Sequence, residues 1–135
     1  MATLFTRIAN GEIPSWKVAE SEDYYAFLDI SPLAKGHTLV IPKKVEDDYI
    51  FHLDEKTYAG LWAFARKVAV ALKAAVPCQR VGVAVLGMEV PHTHIHLVPL
   101  QTEGDLDFRK TRPAISPEQM AQTAAAILSE YEKLQ

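Results

Sequence analysis

The chain has 135 residues, of which 49% are hydrophobic and 23% are charged, and its net charge is -3 at pH 7. This length suits one domain with its own core, so we predict a single domain over residues 1–135. The mildly negative net charge gives no support to nucleic-acid binding through a basic surface. No apolar run approaches the ~18 residues of a membrane helix, and the first residues are too polar for a signal peptide, so we expect no membrane partner.

The first third of the chain predicts a short helix followed by three antiparallel strands. Residues 2–10 have one apolar side, and Asn10-Gly11 ends that helix. Residues 15–20, 24–29 and 37–42 alternate apolar and polar residues or are β-branched, and turn residues separate them. Because the connections are short, these strands should form a meander.

A long helix is predicted next, from the capping residue Asp54 to the terminating Pro77. We interpret its apolar stripe as core or subunit contact rather than a cofactor site. Cys78, the only cysteine, follows the helix; it excludes an intramolecular disulfide framework and suits a reducing cytoplasm. The stripe consists of Tyr58, Leu61, Trp62, Ala65, Val68, Leu72 and Val76.

The last part of the chain predicts a hairpin and a final helix. A strand over residues 80–86 and a strand over residues 91–99 are joined by a few residues, which favours antiparallel pairing. Gly82 and Ala84 should leave space beside the second strand for a ligand. Residues 100–112 are predicted to be a loop, and Ser116-Pro117 begins a C-terminal helix. The fold class is therefore α+β: a five-stranded, mainly antiparallel sheet with a long central helix and a C-terminal helix.

The strand over residues 91–99 carries histidine at every second position. Since side chains alternate between the faces of a strand, His92, His94 and His96 should share one face. The outer two would lie about 13 Å apart along a straight strand, at roughly 3.3 Å per residue. One zinc ion with ligands at about 2 Å cannot collect all three. A neutral imidazole is a competent nucleophile, and His94, flanked by two histidines, is best placed to react. Two alternatives remain: a metal site completed from elsewhere, and a solvated polar face.

The H-x-H-x-H pattern followed by apolar residues resembles the signature of the histidine triad (HIT) family of nucleotide-binding hydrolases and transferases. The run over residues 27–44, FLDISPLAKGHTLVIPKK, is similar to another segment of that family. The opening over residues 5–14, FTRIANGEIP, also resembles the start of its members. Two separated motifs in the family's order make the resemblance specific.

The resemblance implies an enzyme that acts at the α-phosphate of a nucleoside 5′-phosphate derivative. Such a derivative is a phosphoramidate, a nucleotidyl compound or a dinucleoside polyphosphate, with a purine nucleotide expected. His94 would attack the phosphorus and carry the nucleotidyl group until water takes it. His96 would hydrogen-bond a phosphoryl oxygen or assist the leaving group, and His92 would orient the row. His37 matches a fourth histidine of the family and should lie close to the other three.

The resemblance also implies how the nucleotide and a second subunit bind. Asp29 would accept hydrogen bonds from the ribose hydroxyls, and a homodimer would form through the helix and the sheet edge. No cofactor and no metal are expected. The remaining nucleotide-binding residues would wall the base or lie near the phosphate; they are Phe5, Ile8, Phe27, Ile30, Gly87, Met88 and Glu89.

Several positions depart from the family pattern. Ala84 stands where members often carry Asn, and Met88 and Glu89 replace neutral side chains. Glu89 would repel a phosphate unless it points away or pairs with a cation such as Lys43 or Arg109. Alternatively, Glu89 would raise the pKa of a histidine or act as an acid–base partner. These changes leave the nucleobase and the leaving group open. They also keep two alternatives: a nucleotide-binding regulatory module with little catalysis, and a metal-dependent hydrolase. We interpret the basic residues Arg109, Lys110 and Arg112 as a solvated loop, with contact to a distal phosphate as the alternative.

Overall fold

The computed structural model describes residues 3–44 and 47–135 and confirms the predicted α+β fold. One antiparallel sheet has the strand order β1-β2-β3-β5-β4. The strands are β1 (Lys17–Glu20), β2 (Tyr24–Leu28), β3 (Thr38–Pro42), β4 (Arg80–Ala84) and β5 (Ile95–Leu100). The helices are α1 (Leu4–Ala9), α2 (Glu55–Ala75) and α3 (Pro117–Glu132), with short 3-10 turns at Ile50–His52 and Glu103–Asp105. A three-stranded meander and a hairpin thus meet where β3 pairs with β5. Ala2, included in the predicted first helix, lies outside the described residues.

Capping explains where the helices begin. The Asp54 carboxylate accepts the backbone N–H of Thr57 at the start of α2. At the start of α3, Ser116 and Gln119 each accept a backbone N–H from the other, which is a capping box. These residues satisfy N–H groups that have no partner inside the helix, so the ends follow from local chemistry.

Both faces of the sheet centre are covered, so all five residues of β3 are buried. On one face, α2 and α3 pack against Val40, Ile95 and Leu97 in the main core. On the other face, α1 packs Phe5 and Ile8 in a smaller cluster with residues of β2 and β3. The smaller cluster places α1 on the face that His94 and His96 share.

A turn at Gly36 leads into β3. Its φ is +95°, a left-handed conformation that L side chains rarely adopt, and a Cβ there would lie 3.0 Å from a Leu72 methyl group. The glycine therefore lets the chain turn while its backbone approaches α2. The next residue, His37, is fully buried as a result.

The structure corrects two predictions about the hairpin. The regular strand begins at Ile95 rather than residue 91, so His92 and His94 precede it. The expected space beside Gly82 is filled, because a Cβ there would lie 2.5 Å from a Leu100 methyl group. Ala84 is opposite His96 in the strand register, yet neither Gly82 nor Ala84 lines the cavity beside the histidines. Within residues 3–44 and 47–135, no helix combines the length and apolar character needed to span a membrane.

Candidate active site

The three alternating histidines are all buried, which contradicts the alternative of a solvated polar face. His92 has no exposed surface, and His94 and His96 expose 7% and 8%. His94 and His96 lie side by side, with ring centroids 5.0 Å apart. His96 pairs with Leu39 of β3 and with Ala84 of β4, so it is held in the middle of the sheet. Their surroundings therefore determine which ring nitrogen carries a proton.

His92 is held between α1 and the end of β3. Its Nε2 lies 2.7 Å from the carbonyl oxygen of Pro42, which can only accept, so Nε2 carries the proton. Its Nδ1 then accepts from the Thr3 hydroxyl at 2.7 Å. Thr3 also caps α1 by accepting the backbone N–H of Thr6. Burial lowers the pKa of His92, which keeps this arrangement neutral.

His94 is oriented by the backbone of His92. Its Nδ1 lies 2.8 Å from the His92 carbonyl oxygen and must donate, so the lone pair of the neutral ring is on Nε2. The ring also packs edge-on against Phe5, with centroids 5.1 Å apart. His94 lines the cavity described below, and across the described part of the chain no side chain or backbone group hydrogen-bonds Nε2. The lone pair of this nitrogen is therefore not used by another group of the described chain.

A hydrogen-bond relay fixes the proton of His96. The backbone N–H of Leu33 donates to His37 Nδ1 at 3.0 Å, so a neutral His37 carries its proton on Nε2. That nitrogen lies 3.0 Å from His96 Nδ1 and donates to it. His96 must then carry its own proton on Nε2, and it also lines the cavity. The pair therefore presents a hydrogen-bond donor next to His94.

Burial keeps the relay uncharged. Desolvation, assisted by the neighbouring His96 and by Arg112, lowers the pKa of His37 to about 3. Desolvation, followed by the effects of His94 and Arg112, lowers the pKa of His96 to about 4. Both rings are therefore neutral at physiological pH, as the relay requires.

A cavity of about 610 Å³ opens beside His94 and His96. This volume is in the usual range of small-molecule sites. Every residue that the sequence assigned to nucleotide binding lines it: Phe5, Ile8, Phe27, Asp29, Ile30, Gly87, Met88 and Glu89. His92 and His37 do not line it and lie behind His94 and His96. Arg112, for which contact with a distal phosphate was the alternative to a solvated loop, also lines it. The other lining residues had no predicted role; they are Leu4, Ser31, Leu39, Leu86, Val90 and Phe108.

Asp29 sits at the mouth of this cavity beside Ser31. One carboxylate oxygen accepts the backbone N–H of Ser31 at 2.8 Å, and the other lies 3.7 Å from His37 Nε2, beyond a normal hydrogen bond. Desolvation raises the pKa of Asp29, and the Ser31 hydrogen bond and the Arg112 charge oppose that rise. The second oxygen is thus available to a ligand.

Three residues in and behind the cavity wall form a cluster with the spacing of metal ligands. One ligand-type atom from each of Asp29, His37 and His96 lies within 4.8 Å of the others. However, the Leu33 N–H occupies the lone pair on His37 Nδ1, so His37 Nε2 carries a proton and offers no lone pair. The hydrogen bonding fits a relay and argues against a metal-dependent reaction at this cluster.

Phe108 and Arg112 come from the loop after β5, which the sequence analysis interpreted as solvated. Phe108 packs edge-on against His96, with centroids 4.8 Å apart, and Arg112 lies over the Phe108 ring. Only Arg112 of the basic loop residues reaches the cavity. A lone Phe in a polar loop carries no periodic signal, so nothing in the pattern could assign Phe108.

The expected partners of Glu89 are engaged elsewhere. Lys43 pairs with Glu20 at 2.8 Å, and Arg109 pairs with Asp107 at 3.4 Å. Within the described ranges, Glu89 makes no ion pair. The cavity therefore keeps the Glu89 carboxylate as well as that of Asp29.

Comparison with family models and with known proteins identifies the same family that the sequence motifs resemble. The HIT domain model matches residues 10–103. The chain is 36% identical over 104 residues to the adenosine 5′-monophosphoramidase of Saccharomyces cerevisiae, covering 76% of this chain and 65% of that protein.

Two solved structures share the fold over nearly the whole chain. A hypothetical histidine triad nucleotide-binding protein from Sulfolobus tokodaii has a TM-score of 0.80 and 33% identity, covering 96% of this chain and 92% of its own. A zinc-bound histidine triad family protein from Mycobacterium smegmatis has a TM-score of 0.81 and 27% identity, covering 99% and 96%.

Proposed function

This chain belongs to the HIT family, and from that premise we propose that it is a nucleotide hydrolase or transferase. It acts at the α-phosphate of a nucleoside 5′-phosphate derivative and passes through a covalent nucleotidyl-histidine intermediate on His94. The observation that carries the proposal is the free lone pair of His94 Nε2 beside a cavity lined by Asp29 and apolar residues.

His94 performs the two chemical steps. Its Nε2 bonds to the α-phosphorus while the bond from phosphorus to the leaving group breaks, and water then displaces the nucleotide from Nε2. The ring is positively charged while it carries the nucleotide, and its Nδ1–H still donates to the His92 carbonyl oxygen. That carbonyl dipole stabilises the charged ring, because hydrogen bonds to an ionised group are stronger. Splitting the displacement into two steps lowers each barrier.

The other histidines position the reaction. The Nε2–H of His96 donates to a phosphoryl oxygen or to the leaving atom, and His37 holds His96 in that tautomer. His92 fixes the backbone carbonyl that orients His94. Since His37 and His92 do not line the cavity, they act through their neighbours.

The rest of the cavity fits a nucleoside. The Asp29 carboxylate receives the ribose hydroxyls, because it can accept from both at once. The base lies against the apolar wall formed by Phe5, Ile8, Phe27 and Ile30, and the phosphate lies near Gly87, Met88 and Glu89. We propose a purine, as in the adenosine substrate named for the yeast relative.

We further propose that the chain is one HIT-like domain, works in the cytoplasm and forms a homodimer. The second copy would bind the edge strand β4 and the adjacent side of α2. Val70 and Val83 there expose 52% and 45% of their surface, which supports this choice of face.

The test is a search for the covalent intermediate. Purified protein is mixed with an adenosine 5′-phosphoramidate, quenched and analysed by mass spectrometry for a nucleotidyl group on His94. We expect His94→Ala to lower turnover by at least about 10³-fold, because catalytic residues act together and removal of the nucleophile also removes the effect of the other residues. His52→Ala is the matched control, because the His52 side chain is 64% exposed and lies outside the cavity.

Folding must be checked separately, because His94 is buried rather than exposed. Thermal unfolding and AMP binding by the His94→Ala protein serve this purpose. Unchanged turnover in a folded His94→Ala protein would contradict the proposal. Tight AMP binding by the unmodified protein without turnover would favour the regulatory binding module, a candidate motivated by Glu89 in the cavity.

A further inference from the structure

Asp29, the carboxylate assigned to the ribose, begins the segment that connects β2 to the turn before β3. We call residues 29–33 the Asp29 segment. Its two ends are attached to His37: the Asp29 N–H donates to the His37 carbonyl oxygen at 2.9 Å, and the Leu33 N–H donates to His37 Nδ1 at 3.0 Å. Between these ends Ile30 and Ser31 are exposed, and Ile30 exposes 84% of its surface. Little packing therefore holds the middle of the segment in place.

Arg112 provides a tether at the middle of the Asp29 segment. Its Nη1 donates to the Ser31 carbonyl oxygen, and the Ser31 N–H donates to the Asp29 carboxylate at 2.8 Å. Both groups belong to Ser31, whose backbone has only two freely rotating bonds, so fixing the carbonyl oxygen also limits where the N–H points. The orientation of the Asp29 carboxylate therefore depends on Arg112.

Arg112 is itself anchored to the side of the cavity that carries the histidines. Its Nη2 donates to the Phe108 carbonyl oxygen at 3.2 Å, and its Cζ lies 5.9 Å from the centroid of the Phe108 ring. That ring packs edge-on against His96, with centroids 4.8 Å apart. A planar guanidinium with donors in a fixed fork can make both carbonyl bonds at once. Arg112 thus bridges the histidines and the Asp29 segment.

The charge of Arg112 acts on the same carboxylate. Burial raises the pKa of Asp29, and the Ser31 hydrogen bond and the Arg112 charge oppose that rise. Since hydrogen bonds to an ionised group are stronger, Arg112 favours the form of Asp29 that binds hydroxyl groups best.

We propose that Arg112 is a positioning residue that fixes Asp29 relative to the reacting histidines and thereby sets the preference for a ribose with free hydroxyl groups. This inference rests on the ribose role of Asp29 in the proposed function. The effect of Arg112 passes through Ser31. Without the tether the Asp29 segment moves more freely, and its carboxylate loses alignment with the hydroxyl groups although it is still present.

The experiment compares the binding of AMP and of 2′,3′-dideoxyadenosine monophosphate, which differ only in the ribose hydroxyl groups, by isothermal titration calorimetry. We expect the wild-type protein to bind AMP at least about 10-fold more tightly, the effect of a hydrogen bond to a charged group. Arg112→Gln should reduce this preference to less than about threefold, because the carboxylate is no longer held in place. Arg112→Lys keeps the charge but lacks the fork that reaches both carbonyl oxygens, so its preference should be intermediate.

A double variant tests whether Arg112 acts through Asp29. Asp29→Asn removes one acceptor oxygen and should itself lower the preference for AMP. Adding Arg112→Gln to Asp29→Asn should lower the preference no further, because residues in one hydrogen-bond network have non-additive effects. Additive losses would show that Arg112 acts elsewhere and would overturn the inference.

Arg109→Gln is the matched control and should keep the wild-type preference. It removes the same charge from the same loop, but the Arg109 side chain is 93% exposed and lies outside the cavity. If Arg112→Gln weakens the binding of both nucleotides equally, or of neither, the assignment of Arg112 is wrong. A wild-type protein that binds both nucleotides equally contradicts the ribose role of Asp29 and this inference, while the reaction at His94 stands. The expected preferences without any turnover contradict the catalytic proposal alone.

Discussion

At the scale of single residues, the site depends on where protons lie on four imidazole rings. Backbone groups decide this for three of the rings, because a carbonyl oxygen only accepts and an N–H only donates. The Pro42 carbonyl orients His92, the His92 carbonyl orients His94, and the Leu33 N–H orients His37. Side chains take part as well: the Thr3 hydroxyl donates to His92 Nδ1, and the Nε2–H of His37 donates to His96 Nδ1. Thr3 is thus a positioning residue outside the sequence motif.

Replacing Thr3 tests this arrangement. We expect Thr3→Val to lower kcat roughly 3- to 10-fold, about the effect of one lost neutral hydrogen bond. The loss should be largest at acid pH, because the hydroxyl bond favours neutral His92 and its removal raises the pKa of that ring. The measurement is the pH profile of kcat.

Thr3→Ser provides the control, since serine keeps both the donor to His92 and the cap that accepts the Thr6 N–H. It should restore the wild-type profile. A Thr3→Val profile parallel to that of the wild type would show that Thr3 acts only as a helix cap.

At the scale of elements, each wall of the site comes from a different segment. α1 and β2 with the residues after it supply the apolar wall, β5 and the residues before it supply the histidines, and the loop after β5 supplies Arg112. β4 lies at one edge of the sheet, where its backbone groups on one side have no strand partner within the described chain. The unpaired N–H and C=O groups of an exposed edge strand can pair with a strand of another chain. The exposed Val70 and Val83 beside this edge make it the face on which a second copy should bind.

Placing a charge on this face should separate the copies. We expect Val70→Asp to weaken the proposed dimer by at least about 10-fold in Kd, because an unpaired charge would be buried against apolar surface. Sedimentation velocity over a concentration series measures the change. Leu134→Asp is the control, since Leu134 is 42% exposed and follows α3, which packs near the opposite edge strand β1. A wild-type protein that sediments as a monomer at high concentration would contradict the dimer.

At the scale of the whole molecule, folding requires several histidines to be buried without charge. The pKa values of His37 and His96 lie at about 3 and about 4, below the ordinary value of 6.5. Between pH 6.5 and these values the unfolded chain binds protons that the native protein does not. The stability from burying these neutral rings is therefore complete above pH 6.5 and is lost as the pH falls below it.

Urea unfolding between pH 7 and pH 5 should show this loss. We expect the free energy of unfolding to fall on the order of 2 kcal/mol per buried histidine across this window. Most carboxyl groups titrate below this pH window. The raised pKa of Asp29 acts against the loss, because a carboxyl group with a raised pKa in the native protein increases the free energy of unfolding as the pH falls. His37→Gln, which cannot titrate, should make the dependence shallower. His52→Gln, at an exposed position, should leave it unchanged. An equal slope in all three proteins would show that buried histidines do not control acid stability.

Local patterns account for most of what could be predicted. Alternation predicted the strands, and caps at Asp54 and Ser116 predicted the helix starts, since these signals act between residues close in sequence. Predictions about contacts between residues that are distant in the sequence were less accurate. The space expected beside Gly82 is filled by Leu100, and neither expected cation pairs with Glu89.

The sequence by itself determined the fold class, the family and the set of residues expected around the nucleotide, because periodicity and motif spacing are properties of neighbouring residues. Only the tertiary structure decided the proton positions on the histidines, the burial of His94 and the arrival of Arg112 at the cavity. Each of these depends on contacts between distant segments, such as Pro42 with His92 or His37 with His96. Hydrogen bonds and desolvation act through space, so the folded chain had to bring those groups together first.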